Sequence, residues 1–413
     1  MNSEESILST VSFLSRKYPQ ACSFSLGRPN PEVYALLDFE HYRQVYKNTL
    51  DEMFSHNQKD INEHLCTYGP SQGVINGHVS RWLSIDENIH AAENDIFITN
   101  GCQEAYNLIL LHELREESDC VLIIEPTYFG FNDCVSVLGK SSVTVSVNDV
   151  SDEAGAFQFE NLTALIAEFK SQGKNTRLLY INPDFNNPMT YRLSESEKAT
   201  LLAVCHQNGV KIIEDSTYSG FYFDGERGHS IKSQDPHGLV YYVGSFSKVM
   251  CPSLRLGYLI LNQSDAATRA DILHIKDHTS LSTSALNQQI VAGFLIHYGY
   301  SVEAWVRPIR EEYQRRRNAM VEVLQSELDG SPIKWQPPQG GFFVFLKLPF
   351  SITSKDLIHC VENYQVTFMP VSYFSRREGK VINGIRLAFS YYEPEIIEQG
   401  TREFCKFLKE RFL

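Results

Sequence analysis

Between about residue 95 and residue 262, short runs of apolar residues alternate with longer stretches whose apolar positions recur at helical spacing. The runs are Ile96–Thr99, Val121–Ile124, Leu178–Ile181, Val210–Ile213, Leu239–Val243 and Tyr258–Leu261. Continuously apolar strands belong in a sheet that is covered on both faces, and helical connections favour parallel strands. The pattern therefore predicts an α/β fold with a mostly parallel sheet covered by helices.

One helical connection and the strand that follows it are defined by their end signals. Ser194 and Glu197 form a capping box, and Gly209 ends the helix just before the run Val210–Ile213. That run delivers polar residues 214–218 at its carboxyl end. Ligands of open α/β sheets bind outside the carboxyl ends of the strands, so these ends are where we look for chemistry.

The pattern changes from about residue 290 onward. A long, charged helical segment near 290–330 is followed by the apolar segment PPQGGFFVFLKLP and by a final amphipathic helix. These elements predict a smaller α+β domain, which the long helix near 290–330 joins to the rest. We expect residues 46–290 to form a large domain, and residues 1–45 and 291–413 to form the small one.

Composition excludes several classes of function. The formal net charge of -13 argues against a nucleic-acid or anionic-membrane partner, and no stretch of 18 or more apolar residues predicts a membrane span. The nine cysteines show no C-x-x-C pair and no metal-ligand spacing, so we expect reduced thiols, a cytoplasmic location and no metal site. Acidic residues near the amino terminus are unlike a signal peptide.

The most informative segment runs from Gly244 to Tyr258. Lys248 lies between apolar neighbours just after a strand, where its pKa can fall and its neutral amine can attack an aldehyde. Ser245 and Arg255 are suitable donors to a phosphate. A single lysine is nevertheless far more often a solvated surface residue.

Other strand ends carry polar or aromatic residues. Asp215 follows an apolar strand and needs a cationic partner or a proton. Tyr128 can stack on a planar ring, the loop around Asn187 can present a side-chain amide, and Gly101 opens a helix where an anion can bind. Taken singly, each also fits a structural role in a turn, in the core or in an ion pair.

Taken together and in order, these residues resemble the fold-type-I enzymes that depend on pyridoxal 5'-phosphate (PLP), specifically the class I/II aminotransferases of the aspartate-aminotransferase type. The resemblance extends from Leu26-Gly27 to the C-terminal helix. It implies that Lys248 forms the internal aldimine with PLP and moves a proton, and that Asp215 pairs with the ring nitrogen. Tyr128 takes the stacking position, and Asn187 and Tyr218 hydrogen-bond the ring hydroxyl.

The resemblance also implies residues for the phosphate, the substrate and the oligomer. The phosphate site comprises Gly101, Cys102, Gln103, Ser245, Ser247 and Arg255. Arg386 binds the α-carboxylate of the substrate, with Asn187 and Gly27 also at the substrate. Tyr68 reaches the phosphate of a neighbouring subunit, which implies a homodimer.

Two segments depart from the family pattern. Asn187-Pro188 is followed by Met189-Thr190 where the family commonly has Thr-Gly, so Asn186 competes for the role of Asn187. Segment 368–374 lacks the glycine-bearing turn of many relatives, which leaves the shape of the substrate pocket open.

The sequence predicts an aminotransferase acting on an L-amino acid and a 2-oxo acid, and leaves alternatives open. One is another PLP-dependent reaction on an amino acid, such as β/γ-elimination or replacement, decarboxylation, or oxygen-dependent oxidation or hydroxylation. Another is a ligand-sensing domain without catalysis, although the small-domain pattern starts within about 25 residues of Met1 and leaves no room for a DNA-binding domain. Residues 26–29 and 274–284 are candidates for the side-chain pocket, and the class of side chain stays open.

Overall fold

The computed structural model describes residues 7–152, 154–262, 265–376 and 382–413. The α-helices are α1 Ile7–Lys17, α2 Pro31–Ala35, α3 Phe39–Met53, α4 Gln58–Cys66, α5 Asn76–Asp86, α6 Cys102–Glu113, α7 Phe129–Val137, α8 Asn161–Ser171, α9 Glu195–Asn208, α10 Phe246–Val249, α11 Ala266–Thr279, α12 Ala285–His297, α13 Glu303–Leu328, α14 Ser354–Tyr364 and α15 Pro394–Phe412. The strands are β1 Cys22–Ser23, β2 Ile96–Thr99, β3 Asp119–Glu125, β4 Ser141–Ser146, β5 Asn175–Ile181, β6 Lys211–Asp215, β7 Val240–Ser245, β8 Gly257–Ile260, β9 Lys334–Trp335, β10 Phe343–Lys347, β11 Val366–Thr367, β12 Met369–Pro370 and β13 Gly384–Ala388.

The main sheet has seven strands in the order β2-β8-β7-β6-β5-β3-β4. Strands β7, β6, β5, β3 and β4 pair in parallel, whereas β8 is antiparallel to both of its neighbours. The six predicted strands are confirmed, and the sheet is mostly parallel as predicted. Strand β4, at the edge of the sheet, was not predicted.

Helices cover both faces of this sheet, because alternate side chains of each strand point to opposite sides. On one face, Val121, Ile123 and Tyr180 pack with residues of α6 and α7. On the other face, Leu122 and Leu179 pack with residues of α8 and α9. The predicted capping box of α9 is present, and Gly209 ends that helix with φ of 65°. Because the parallel strands run in the same direction, their carboxyl ends lie at one edge of the sheet, and β6 ends there at Asp215.

A smaller sheet, β12-β13-β10-β9, is antiparallel and contains Arg386. Strand β1 pairs in parallel with β11, which ties the amino-terminal segment to the carboxyl-terminal part. The long charged helix predicted near 290–330 is confirmed as α13, Glu303–Leu328, although it begins later than residue 290. Helix α12 ends at His297 and α13 begins at Glu303, because Gly299 and Tyr300 take positive φ values of 62° and 65°.

The domain boundaries stay a prediction. Helix α3 runs through the expected boundary at residue 45–46, and its Tyr42 backbone packs so closely on α12 that a Cβ on Gly293 would meet the Tyr42 carbonyl oxygen at 1.7 Å. In the described part of the chain, no helix has the length and apolar character needed to cross a membrane.

Candidate active site

A cavity of about 460 Å³ opens at the carboxyl edge of the main sheet. Its lining combines a lysine, an arginine, a carboxylate and several hydroxyl and amide groups: Cys102, Gln103, Tyr106, Tyr128, Asn182, Asn187, Asp215, Thr217, Tyr218, Ser245, Ser247, Lys248, Pro252 and Arg255. This volume is typical of a site for a small cofactor and its substrate. The structure thus brings most of the predicted site residues together around one space.

Asp215 is 4% exposed and is surrounded by hydroxyl donors. Tyr106 and Tyr180 each donate to Oδ2 at 2.7 Å, and Thr217 donates to Oδ1 at 2.6 Å. Burial raises the pKa of the Asp215 carboxyl, and the three hydroxyl donors offset part of that rise. A cationic group in the cavity would satisfy the carboxylate and stabilise its ionised form.

Lys248 follows β7 on the short helix α10 and is half-buried. Its Nζ donates to the backbone oxygen of Gly27 at 2.9 Å. Burial lowers the pKa of the Lys248 amine to about 8, and the positive charges of Arg386 and Arg255 contribute to the shift. About a tenth of this amine is therefore neutral at pH 7, far more than for a lysine of ordinary pKa, and the neutral form is the one that a nucleophile requires.

The amino end of α6 and the segment after β7 place several hydrogen-bond donors close together. Gly101 has φ of 74°, and a Cβ there would come within 2.7 Å of Nη2 of Arg255. Ser245 accepts from the backbone N–H of Ser247 at 3.1 Å and donates to its hydroxyl at 3.0 Å. Backbone N–H groups at the start of a helix, hydroxyls and a guanidinium are the donors that a phosphate prefers.

Arg386 lies on β13 and is 3% exposed. Its Nη1 donates to Oδ1 of Asn187 at 2.6 Å and its Nη2 to the backbone oxygen of Ser25. Its Nε is buried without a hydrogen-bond partner, and no described carboxylate lies within ion-pair distance. Burial lowers the pKa of the Arg386 guanidinium to about 10. A buried cation with an unused donor is a site for an anionic ligand.

The aromatic residues predicted around the ring also face the cavity. Tyr128 precedes α7 and folds over Gly130, where a Cβ would come within 2.5 Å of its ring. Tyr218 packs edge-on against Phe342, with ring centroids 5.3 Å apart. Burial raises the pKa of both tyrosines, so both hydroxyls are protonated donors at neutral pH.

The loop after β5 presents Asn187 to the cavity, while Asn186 holds the loop together. Oδ1 of Asn186 accepts from the backbone N–H of Met189 at 3.0 Å, and its Nδ2 donates to Tyr191 at 3.1 Å. Thr190 takes φ of 62°, the left-handed conformation that glycine adopts most easily. The loop therefore keeps its turn without a glycine, and Asn186 is not among the residues that line the cavity.

Tyr68 does not lie in the cavity of its own chain. It is 87% exposed and lines a separate cavity with residues 66–70 and 282–285. Residues 282–284 line this separate cavity together with Tyr68. Lys276 donates a hydrogen bond to Glu104 at 2.6 Å. The predicted segment 274–284 therefore contributes no residue to the lining of the main cavity. Gly27 contacts Lys248 and lies against Phe343.

Sequence reasoning missed four residues of this site: Tyr106, Tyr180, Asn182 and Thr217. Tyr106 and Tyr180 stand at apolar positions of α6 and β5, where a tyrosine looks like any core residue. Asn182 directly follows β5 and Thr217 lies two residues after β6, and this position after a strand is a signal that was available.

The residues present fit PLP. Around the cavity lie donors for an anion at Gly101 and Arg255, a carboxylate at Asp215 and an amine of lowered pKa at Lys248, which are the three kinds of group that a PLP site requires. The unused donor of Arg386 leaves room for a carboxylate beside them.

A model of the family "Aminotransferase class I and II" matches residues 42–395. The chain belongs to this family. As a class I/II aminotransferase, it is a PLP-dependent enzyme that moves an amino group between an amino acid and a 2-oxo acid.

Relatives of this aminotransferase agree over nearly its whole length. It is 32% identical over 402 residues to (S)-3,5-dihydroxyphenylglycine transaminase of Amycolatopsis orientalis, which covers 96% of this chain and 89% of the relative. It is 27% identical to aromatic-amino-acid aminotransferase 1 of Thermococcus litoralis, over 94% of this chain and 88% of that one. A crystal structure of kynurenine aminotransferase from Pyrococcus horikoshii in complex with PMP, with KYN as substrate and KYA as product, superposes with a TM-score of 0.83 at 27% identity, covering 100% and 96% of the two chains.

Proposed function

We propose that this aminotransferase acts on L-amino acids with aromatic or other apolar side chains, and that Arg386 binds their α-carboxylate. The observation that carries the proposal is the buried guanidinium of Arg386, whose Nε has no partner. A substrate carboxylate would pair with this cation and occupy the unused donor.

Lys248 is the proposed base and acid. With its pKa lowered to about 8, its amine can accept a proton from the substrate α-carbon and then give that proton to another atom of the reacting group. The hydrogen bond to the backbone oxygen of Gly27 directs the Nζ while it is not attached to the cofactor. When bound, PLP supplies an electron-withdrawing ring that takes up the electron pair left by the departing proton.

The remaining residues are proposed to hold and orient the cofactor. Asp215 would pair with the ring nitrogen, and its three hydroxyl partners fix the direction of its carboxylate. Tyr128 would pack on the ring, and Asn187 and Tyr218 would hydrogen-bond its hydroxyl. The phosphate is held by a set of residues at the start of α6 and after β7: Gly101, Cys102, Gln103, Ser245, Ser247 and Arg255.

The surroundings of Arg386 support an apolar substrate side chain. Its guanidinium carbon lies 4.1 Å from the ring centroid of Phe343 and 4.9 Å from that of Phe374. Phe374 in turn packs with Leu26, Phe129 and Tyr373. The cavity lining offers no cation beyond Lys248 and Arg255 for a second carboxylate, and the Asp215 carboxylate that a basic side chain would need is already bonded by three hydroxyls. The names of two relatives above, which refer to aromatic amino acids and dihydroxyphenylglycine, agree with this proposal.

The test is a comparison of amino donors in the first half-reaction. Phenylalanine, tyrosine and leucine are each mixed with the PLP-loaded enzyme and compared with glutamate and lysine, while the cofactor spectrum and the 2-oxo acid product are followed. We expect kcat/KM to be higher for the apolar donors by about tenfold or more, since burying an aromatic side chain is worth roughly 1.5–3 kcal/mol. Equal or higher values for glutamate or lysine would contradict the apolar pocket.

We also propose a homodimer in which Tyr68 reaches the phosphate site of the neighbouring subunit. Its high exposure in the isolated chain, beside a cavity of about 520 Å³, supports this assignment. Mixing Tyr68→Ala with Lys248→Ala protein gives heterodimers. In such a heterodimer the subunit that keeps Lys248 lacks its own Tyr68, so one complete site forms only if Tyr68 acts across the interface. Recovered activity on mixing supports the arrangement, and no recovery despite proven exchange of subunits contradicts it.

The nine cysteines are free, and six of them are buried. This pattern supports the proposal of a reducing, cytoplasmic environment.

A further inference from the structure

Glu125 lies at the end of β3, is 2% exposed and is not part of the cavity lining. Its Oε2 accepts a hydrogen bond from the hydroxyl of Ser375 at 2.6 Å, and its Oε1 accepts one from the backbone N–H of Arg376 at 2.9 Å. Both donors are about 250 residues away in sequence, in the carboxyl-terminal part of the chain. A buried carboxylate is tolerated only where such donors compensate for its lost hydration.

A third hydrogen bond joins the same two segments. The backbone N–H of Thr127 donates to the backbone oxygen of Phe374 at 3.0 Å. The segment 374–376 is thus attached at consecutive residues to the strand end that leads into Tyr128. An exposed ion pair, Arg376 to Asp133 at 2.8 Å, adds little because both partners are in contact with water.

The attached segment carries one of the two rings that pack on Arg386. Phe374 is fully buried, and its ring centroid is 4.9 Å from the guanidinium carbon of Arg386. The segment also continues from β12, which pairs with β13 next to Arg386 itself. The position of Phe374 therefore depends on the pairing of β12 with β13 before it in the chain and on the hydrogen bonds of Glu125 to the residues after it.

We infer that Glu125 is a positioning residue for substrate binding: its two hydrogen bonds to segment 374–376 hold Phe374 against Arg386 and keep the guanidinium directed at the substrate carboxylate. This inference rests on the proposed binding of the α-carboxylate by Arg386. The hydrogen bonds described for Glu125 lead to segment 374–376 and not to the phosphate site or to Lys248, so we expect its main effect at the substrate end of the cavity.

The experiment measures a carboxylate that has no amino group. The inhibition constant of 3-phenylpropanoate against the PLP-loaded enzyme is compared for the wild type, Glu125→Ala and Glu125→Gln. We expect Glu125→Ala to raise this constant and the KM for phenylalanine by about tenfold, because hydrogen bonds to a charged acceptor are lost. Glu125→Gln keeps an acceptor for the Arg376 N–H, and we expect it to recover most of the loss. The kcat and the dissociation constant of PLP should change by less than about twofold.

Ser375→Ala provides a milder second variant that removes the Ser375 hydrogen bond to Glu125, with an expected rise of about threefold. Asp133→Asn is the matched control, since it breaks only the exposed ion pair and should leave all constants unchanged. A Glu125→Ala enzyme with an unchanged inhibition constant would overturn the inference, as would equal losses of PLP and inhibitor affinity. If Arg386→Leu also left inhibitor binding unchanged, the proposed carboxylate site itself would be wrong.

Discussion

The two ends of the cavity differ in how completely their charged groups are satisfied. At one end, Asp215 accepts three hydroxyl hydrogen bonds from Tyr106, Tyr180 and Thr217. At the other end, behind the lining residue Asn187 to which it donates a hydrogen bond, Arg386 is equally buried, and among the described residues its Nε has no hydrogen-bond partner and no carboxylate pairs with it. The first end is arranged for a ligand that stays, and the second for a ligand that comes and goes.

A chain of hydrogen bonds links these ends. Arg386 donates to Asn187, the backbone N–H of Asn187 donates to Oδ1 of Asn182 at 3.1 Å, and Nδ2 of Asn182 donates to the backbone oxygen of Asp215 at 2.5 Å. The same hydrogen bonds therefore position both ends, although one end is proposed to bind the cofactor and the other the substrate. Variants that act on only one end will show whether cofactor and substrate binding are separable.

The largest effect is expected from Lys248→Ala, which removes the amine that serves both ends. We expect loss of the protein-bound PLP absorbance and a fall in kcat of at least about 10³-fold, within the range for loss of a general acid–base group. The absorption spectrum and single-turnover rates measure this. An unchanged spectrum would mean that the lysine is misassigned.

Asp215→Asn tests the cofactor end alone. The amide keeps hydrogen bonds but loses the negative charge, so we expect kcat to fall by about 10²–10³-fold, as when one electrostatic stabiliser is removed. Inhibition by 3-phenylpropanoate, in contrast, should change by less than about threefold. Parallel losses in kcat and in inhibitor binding would show that the two ends are not separable.

Arg386→Leu tests the substrate end. Loss of the charge-assisted pair should raise KM for phenylalanine by about 10²-fold, while the affinity for PLP stays within about threefold of the wild type. Steady-state kinetics and a PLP titration measure the two quantities. A large loss of PLP affinity would contradict the separation.

The contrast between the ends was only partly predictable from sequence. Asp215 and Lys248 could be predicted as candidates because apolar strands are visible in sequence and because ligand groups follow the carboxyl ends of such strands. The hydroxyls around Asp215 were not found, since Tyr106 is 109 residues and Tyr180 is 35 residues away in the chain. Only the folded sheet and α6 bring them to one carboxylate.

Two features of the fold that the sequence analysis did not specify have physical causes that the sequence contains. The connection between β7 and β8 spans residues 246–256, which is short for a parallel crossover, and β8 is indeed antiparallel. Strand β4 escaped notice because it lies at the edge and only part of it is buried, so its apolar run is weak.

The pH dependence of PLP attachment provides a smaller and more specific test. Because burial and the nearby cations lower the pKa of Lys248 to about 8 from 10.5, the neutral amine dominates above pH 8 and is lost as the pH falls below it. We expect the rate of PLP attachment to the apoenzyme to rise about tenfold per pH unit below the midpoint and to level off above it. Arg386→Leu should move the midpoint to higher pH, because one of the lowering charges is removed. A midpoint near 10 in the wild type would contradict the assigned environment.

The smallest effect is expected from Thr190→Gly in the loop that joins the ends. A left-handed conformation costs a residue with a Cβ roughly 1–2 kcal/mol, and glycine removes that cost but gives the unfolded chain more freedom, worth roughly 0.5–1 kcal/mol. We expect the free energy of unfolding to rise by about 0.5 kcal/mol and KM to change by less than about twofold. The reason is that the hydrogen bonds of Asn186, and not the residue at position 190, hold Asn187 in place. Asn186→Ala is the matched comparison and should raise KM for phenylalanine severalfold. If Thr190→Gly raised KM as much as Asn186→Ala did, the strained residue itself would be what fixes Asn187 between Arg386 and Asn182.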